Sequence, residues 1–235
     1  GMGAIVAKQS IEAASNLNET KSKIDQIFGP AASAEIKSWA DNASASIGQS
    51  SQAAMDAAAQ FATFGKAAGK SGQDLVGFST ELTTLSSDLA SFYNTDPSEA
   101  ATAIAAALRG ESEPIRKYGV LLDDASLKAE YFAQTGKKVS GSLTPQQRVL
   151  AAQALILKQT SDAQGDFART SDGLANSQRT LAATIEDVKG QIGQGLLPAV
   201  TEIVKAVGPI LKDVAPMLGQ LASTVGTTLA DAFKT

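Results

Sequence analysis

The segment Phe64–Gly72, with the sequence FGKAAGKSG, comes closer to a known chemical motif than any other part of this chain. A phosphate-binding loop needs a glycine, four further residues and then Gly-Lys-Ser/Thr after a buried strand, because its backbone N–H groups must wrap the phosphates. Here Gly65 stands one residue too close to Gly69, and the preceding AAMDAAAQFAT favours a helix over a strand. We therefore predict a glycine-rich link between two helices and no nucleotide binding.

Three pairs of carboxylates are the next candidates, for general acid–base chemistry or for binding a hard cation. They are Glu111 with Glu113, Asp123 with Asp124, and Glu186 with Asp187. Each pair lies where a helix cap or a solvated helix face is expected, so we interpret all three as structural. The lysines Lys137 and Lys138 are interpreted as part of a solvated loop. The sequence thus predicts no catalytic residue, no cofactor and no metal site, and we expect the protein not to be an enzyme.

Composition narrows the possible chemistry further. The 235 residues include no histidine and no cysteine, which excludes disulfides, thiolate nucleophiles, imidazole bases and nearly every zinc site. Because 20 Lys and Arg are interspersed with 24 Asp and Glu, for a net charge of -4, we expect no binding to nucleic acid by charge. The most apolar stretch, Leu196 to Leu218, is interrupted by four charged residues and is not expected to span a bilayer.

The elements that hold these residues are predicted to be helices, in an all-α, multi-helix bundle with Gly and Pro breaks. Apolar residues at helical spacing predict one helix most clearly, and they are Leu75, Phe78, Leu82, Leu85, Leu89 and Phe92. Two further helices are predicted to begin at Pro97 and at Pro145, because each proline follows a capping residue, Asp96 or Thr144. Alanine-rich helices are expected over 5–28 and 34–47.

The C-terminal part combines apolar stripes with helix breakers. One stripe consists of Leu174, Leu181, Ile185, Val188, Ile192 and Leu196. We expect its helix to fray or bend near Gly190, Gly193 and Gly195. Beyond it the stripe continues through Val200, Val207 and Val214. There Pro198, Pro209 and Pro216 predict short linked helices.

Two local features complete the prediction. A short β-pairing between 120–122 and 138–139 is the one place where strands are expected. The single tryptophan, Trp39, is expected either to anchor its helix to the core or to contact another chain. We divide the chain into an N-terminal helical segment (1–70), a helical core (71–195) and C-terminal Pro-broken amphipathic helices (196–235).

Two stretches carry a resemblance to a known family. They are LRGESEPIRKYGVLLDDASLKAEYF and LTPQQRVLAAQALILKQTSDAQGDFARTSDGLANSQRTLAATIEDVKGQIGQGLLPAV. The order of their motifs resembles the core region of phage tail tape measure proteins over roughly 72–200. These motifs are the turn at 110–114, the step at 117–120, the loop Gly165–Ala168 and the exit Gly195–Pro198.

The resemblance implies a structural role. Tape measure proteins fill the lumen of the tail tube, template its polymerisation so that their length sets tail length, and leave ahead of the DNA. It implies a location in the virion tail, with the host cytoplasm during assembly. Expected partners are tube, tail-tip and assembly-chaperone proteins and further copies of the chain. The leading Gly-Met suggests a fragment of something longer.

Two alternatives stay open. Tape measure chains sometimes carry wall-degrading modules, so a muralytic activity through Glu111 or Glu113 is the enzymatic alternative. The segment 196–233 is the membrane-active alternative, since an amphipathic helix of this kind can lie on a bilayer. In both cases the chain would still be part of a phage tail protein.

Overall fold

A computed structural model describes the backbone of residues 2–232 and the side chains of residues 5–202 and of Lys205. Over this range the protein is all-α, as predicted, and no strand is present in the described backbone. Residues 2–232 form ten α-helices and one 3₁₀ helix, Pro114–Tyr118. The α-helices are α1 (Met2–Phe28), α2 (Pro30–Ala40), α3 (Ala43–Ile47), α4 (Ser51–Ala67), α5 (Gly72–Phe92), α6 (Pro97–Arg109), α7 (Asp124–Thr135), α8 (Pro145–Gln159), α9 (Asp166–Arg169) and α10 (Leu174–Ala232).

The predicted helix starts are confirmed, with their capping chemistry. Asp96 accepts a hydrogen bond from the backbone N–H of Ser98, and α6 begins at Pro97. At α8, Thr144 and Gln147 form a reciprocal capping box around Pro145. Both arrangements satisfy backbone N–H groups that the first helical turn leaves without partners. The predicted helix over 75–92 is α5, which begins at Gly72.

The buried side chains form two clusters that meet on α4 and α5. The first cluster draws on α4 to α8 and includes Phe61, Leu82 and Ile104, together with Tyr118 of the 3₁₀ helix. The second lies between α1 and the first turns of α5, around Ile24, Ile36 and Met55. Alanines supply much of both clusters, so the helices approach closely. The link between α4 and α5, where we placed a boundary at residue 70, therefore joins two helices that both clusters share.

The β-pairing expected between 120–122 and 138–139 is wrong. Both segments lie outside any helix or strand, and the backbone of Leu121 finds another partner. Its N–H donates to Oε1 of Gln159 at 2.9 Å, and its carbonyl oxygen accepts from Nε2 of the same side chain at 3.1 Å. One side-chain amide on α8 thus satisfies the groups that a neighbouring strand would have satisfied.

The expectation of short linked helices after Pro198 is also wrong, because α10 continues from Leu174 to Ala232 through all three prolines. A proline inside a helix removes one backbone hydrogen bond and costs roughly 3 kcal/mol, a finite cost that the helix survives where other interactions offset it. Fraying or bending was expected near Gly190, Gly193 and Gly195, and α10 does not end at any of them. At 59 residues α10 is about 90 Å long.

Candidate interaction surface

The helix α10 turns a face of small and polar residues towards the rest of the protein. Asn176, Ala183, Gly190 and Gly193 are buried on this face, and the side chain of Arg179 reaches the end of α5. Arg179 donates to the backbone carbonyl oxygens of Ala90 and Thr95 and to the side chain of Asn176. The inward face is therefore held by directed hydrogen bonds and by close backbone approach more than by large apolar side chains.

The helix α10 approaches α1 closely at two of its glycines. A Cβ atom added to Gly193 would lie 1.7 Å from the carbonyl oxygen of Ser10 and 2.8 Å from Cβ of Ala14. One added to Gly190 would meet Leu17 at 3.5 Å. Only a residue without a side chain fits at Gly193, because the obstacle is backbone that no rotamer change can move.

The opposite face of α10 exposes large apolar side chains. We call this surface the apolar stripe, and it consists of Leu174, Leu181, Ile185, Val188, Ile192 and Leu196. The exposed fractions range from 75% at Leu174 to 37% at Leu196. A contiguous row of this kind on a helix is typical of a surface that binds another protein or a membrane. The prediction that these six residues lie on one face of a helix is confirmed.

A polar junction ties the Gly165–Ala168 loop to α5. Asp88, which is 5% exposed, accepts the backbone N–H groups of Gly165 at 2.8 Å and of Phe167 at 3.1 Å. Phe167 is buried, and its ring fills the space beside Gly48, where a Cβ atom would lie 2.5 Å from it. Burial raises the pKa of Asp88 above its ordinary value, although the two backbone donors oppose that rise.

The same junction reaches the start of α10 through Ser91. Its hydroxyl donates to Asp166 at 2.6 Å and accepts from the side-chain amide of Asn176 at 2.8 Å. Asn176 also donates to Oγ1 of Thr170 at 2.9 Å. These bonds fix where α10 leaves the body of the protein and so fix the direction in which the apolar stripe faces. All of them have internal partners, which is the pattern of a structural junction.

The phosphate-loop-like segment is confirmed as a link between two helices. Its first four residues are the last turn of α4, which ends in a Schellman motif. Lys70 N–H donates to the carbonyl of Gly65 and Gly69 N–H to that of Lys66, both at 2.9 Å. Gly69 has φ of 82°, in the left-handed region that glycine favours. The glycines thus end a helix, and Lys70 lies over the ring of Phe78.

The first two carboxylate pairs have the structural partners that were expected. Glu111 pairs with Arg109 and Glu113 with Arg116, each at 3.0 Å and at exposed positions. Asp123 caps α7 through a reciprocal bond with Ser126. The two glutamates are therefore paired separately and do not converge on a common cleft.

The two carboxylates of the third pair, Glu186 and Asp187, have different surroundings and different partners. Glu186 is exposed and lies 2.7 Å from Lys189, whereas Asp187 points inward and accepts the backbone N–H of Ser51 at the start of α4, also at 2.7 Å. Burial raises the pKa of Asp187 above its ordinary value, and the carboxylates of Asp41 and Glu186 add to the rise. Asp187 is thus a structural link between α10 and α4.

Trp39 is half-buried and packs against the second core cluster, as the anchoring alternative predicted. Within the described residues no group of three or more side chains is arranged to hold a metal ion. In the same part of the chain no helix has a segment that is both apolar and long enough to cross a membrane. Within 196–233, the segment of the membrane-active alternative, the side chains of 203, 204 and 206–233 lie outside the described residues.

Comparisons with family models, with curated proteins and with solved structures found no match for this chain.

Sequence reasoning missed the polar residues that position α10. Asp88 and Ser91 are polar residues of α5 that are not among its regularly spaced apolar residues. Arg179 is not part of any recognisable motif. One signal was available, since Asp88 lies between Leu85 and Leu89 of the apolar spacing, and an aspartate buried beside such residues needs hydrogen-bond donors from elsewhere. The identity of those donors, Gly165 and Phe167, depends on the tertiary fold.

Proposed function

We propose that this chain is part of a phage tail tape measure protein, a structural and assembly protein that lies in the tail-tube lumen and helps to set tail length. The observation that carries the proposal is α10, a single helix of 59 residues that leaves a helical body and exposes an apolar stripe. A helix advances about 1.5 Å per residue, so a continuous helix converts residue count into length. Its apolar stripe offers a surface to other tail proteins.

The motifs that resemble the family support the proposal because they occupy structural junctions. The turn at 110–114 ends α6 and begins the 3₁₀ helix. Tyr118, in the step at 117–120, is buried, and its backbone carbonyl accepts from the hydroxyl of Tyr93 at 3.1 Å. The Gly165–Ala168 loop binds Asp88. No observation favours the muralytic alternative, since Glu111 and Glu113 are each paired with an arginine at the surface.

Deleting the gene in the phage or prophage that encodes the chain tests the proposal. Without a tape measure protein the tube has no template, so we expect filled or empty heads and no tails of normal length by electron microscopy. Expression of the intact gene from a plasmid should restore the tails. Normal tails in the deletion strain, with the protein absent by mass spectrometry, would contradict the proposal.

A further inference from the structure

We propose that a cavity beside Trp39 binds a protonated primary amine with a short apolar body. The cavity has a volume of about 300 Å³, and its lining includes Trp39, Glu81, Leu85, Asp88, Leu157 and Gln164. We call it the Trp39 cavity. Its chemistry does not depend on whether the chain belongs to a phage tail, so the two proposals hold or fail separately.

Three helices and a loop form the walls of the Trp39 cavity. On α5, Glu81, Leu85 and Asp88 follow one another at steps of four and three, which places them on one face of the helix. Trp39 lies near the end of α2 and Leu157 near the end of α8. A volume of about 300 Å³ is at the lower end of the range for clefts that bind small molecules. The cavity therefore has room for a small organic ligand.

The charge of the lining favours a cation. Glu81 and Asp88 contribute two carboxylates, and none of the lining side chains, all of which lie in the described part of the chain, is Lys or Arg. The ring of Trp39 acts in the same direction, because the face of an indole attracts positive charge. An anion would meet two like charges here, whereas a cation would meet two opposite charges and an aromatic face.

The hydrogen-bonding groups of the lining favour a ligand that donates. The hydroxyl of Thr80, which also lines the cavity, donates to the carbonyl oxygen of Val76 at 2.9 Å. Nε2 of Gln164 donates to the carbonyl oxygen of Leu157 at 2.6 Å. The hydroxyl oxygen, the amide oxygen and the carboxylate of Glu81 are all acceptors, and a primary ammonium group supplies three N–H donors.

The apolar walls favour an organic ammonium ion over a metal ion. Trp39, Leu85 and Leu157 offer carbon surface that an alkyl chain would cover and a bare ion would not. Calcium takes six to eight oxygen ligands. Within the described residues no group of three or more side chains is arranged to hold a metal ion. The ligand that matches both the polar and the apolar part of the lining is an alkylammonium ion.

The state of Asp88 supports the same ligand. Burial raises the pKa of this carboxyl, the N–H groups of Gly165 and Phe167 and the charge of Arg169 oppose the rise, and Asp166 adds to it. The net direction is upward, so these neighbours do not fully offset the cost of burying the charged form. An ammonium group in the cavity would offset more of that cost.

Fluorescence of Trp39 gives a direct measurement, because it is the only tryptophan in the chain. The probe is n-pentylamine at neutral pH, where it is protonated as a lysine side chain is. We expect a saturable change with a dissociation constant of about 1 mM or lower, in line with the size of the ligand. The neutral 1-pentanol has nearly the same shape and should bind at least about tenfold more weakly, because it lacks the charge.

The substitution Glu81→Gln tests the role of the carboxylate. It removes the charge and keeps an oxygen that accepts from Nε2 of Gln153, a bond of 2.9 Å in the structure. Binding of pentylamine should weaken at least about fivefold. Glu35→Gln is the matched control, since Glu35 is also exposed, also accepts from a glutamine side chain, that of Gln73 at 2.6 Å, and does not line the cavity. The control should bind like the wild type.

The substitution Trp39→Leu tests the aromatic wall, with isothermal titration calorimetry as the measurement because the variant has no tryptophan. Leucine keeps an apolar surface and removes the indole face, so pentylamine should bind at least about threefold more weakly. Phe132→Leu removes an aromatic ring that is 43% exposed elsewhere and should bind like the wild type. Circular dichroism should show the same helix content in all of these proteins.

Four results would overturn the proposal. The first is the absence of a saturable signal with pentylamine up to about 50 mM. The second is binding of 1-pentanol as tight as that of pentylamine, which would make the cavity merely apolar. The third is equal weakening by Glu81→Gln and Glu35→Gln. The fourth is displacement of pentylamine by an equal concentration of calcium chloride, which would make the occupant a metal ion.

Discussion

Gly193 of α10 lies so close to the carbonyl oxygen of Ser10 on α1 that a Cβ atom there would come within 1.7 Å of it. This contact presses two helices together where neither offers a large side chain. It also determines which face of α10 is left outside, because the glycine face must point inward. The exposed apolar stripe is therefore a consequence of a glycine contact on the other side of the same helix.

Replacing Gly193 with alanine should destabilise the protein by about 1–3 kcal/mol, because α1 and α10 must move apart to admit the methyl group. Gly195 is the matched control, since nothing lies within 4 Å of the position its Cβ atom would take. Gly195→Ala should stabilise the protein by about 0.5–1 kcal/mol through helix propensity alone. Urea unfolding of both variants measures the difference. Equal effects of the two substitutions would show that the contact does not form.

The loop that carries Phe167 should depend strongly on that ring. Phe167 is 2% exposed, so Phe167→Ala should lower the free energy of unfolding by about 3–5 kcal/mol through lost burial and the cavity left beside Gly48. Phe132, which is 43% exposed, serves as the control, and Phe132→Ala should cost much less. Thermal unfolding of both variants gives the comparison. A similar loss at the two positions would contradict the described packing.

Replacing the carboxylate of Asp88 with an amide should destabilise the protein. Both of its oxygens accept backbone N–H groups, and an asparagine would turn an NH₂ group towards one of them. One buried donor then loses its partner, which costs about 1–3 kcal/mol. Asp88→Asn should lower stability in urea unfolding at neutral pH by that amount. A neutral effect would mean that the loop does not use both oxygens.

Asp187 should respond to the same replacement differently, because only one of its oxygens accepts a backbone N–H group in the structure. Asparagine keeps that acceptor, so Asp187→Asn should cost little at neutral pH. Comparison of the two Asp→Asn variants thus separates a carboxylate that accepts two backbone N–H groups from one that accepts a single backbone N–H group.

The pH dependence of stability gives a second test at Asp187. Burial raises its pKa in the folded state above 3.8, so between that value and the higher folded pKa the folded protein binds more protons than the unfolded chain. The contribution of Asp187 to stability therefore increases as the pH falls through this window and decreases as it rises. As the pH falls from 7 to about 4, the free energy of unfolding of the wild type should increase relative to that of Asp187→Asn. A constant difference between the two proteins across that range would contradict the raised pKa.

Helix positions and starts were predictable from the sequence because they depend on local chemistry. The spacing of Leu75, Phe78 and Leu82 predicts α5, and the caps at Asp96 and Thr144 predict the starts of α6 and α8. Each of these signals lies within a few residues of the element it specifies. The glycine-rich link after α4 was predictable for the same reason.

Local sequence signals do not predict which face of α10 packs against the rest of the protein. Hydrophobic spacing favours burying Leu181 and Ile185, yet the structure buries Ala183 and Gly190 and exposes the larger side chains. What decides the orientation is long-range: the fit of Gly193 against Ser10 and the bonds of Arg179 to the end of α5. The continuity of α10 through Pro198 was missed because the rule that proline ends helices is statistical and its cost is finite.

Tail length tests the central claim most directly. In the phage or prophage that encodes the chain, removing residues 203–230 deletes 28 residues of α10. We expect tails shorter by about 42 Å, and an in-frame duplication of the same segment should lengthen them by as much. Electron microscopy of purified particles gives both lengths. Tails that keep the parental length in both variants, with the altered protein present in the particles, would contradict the account.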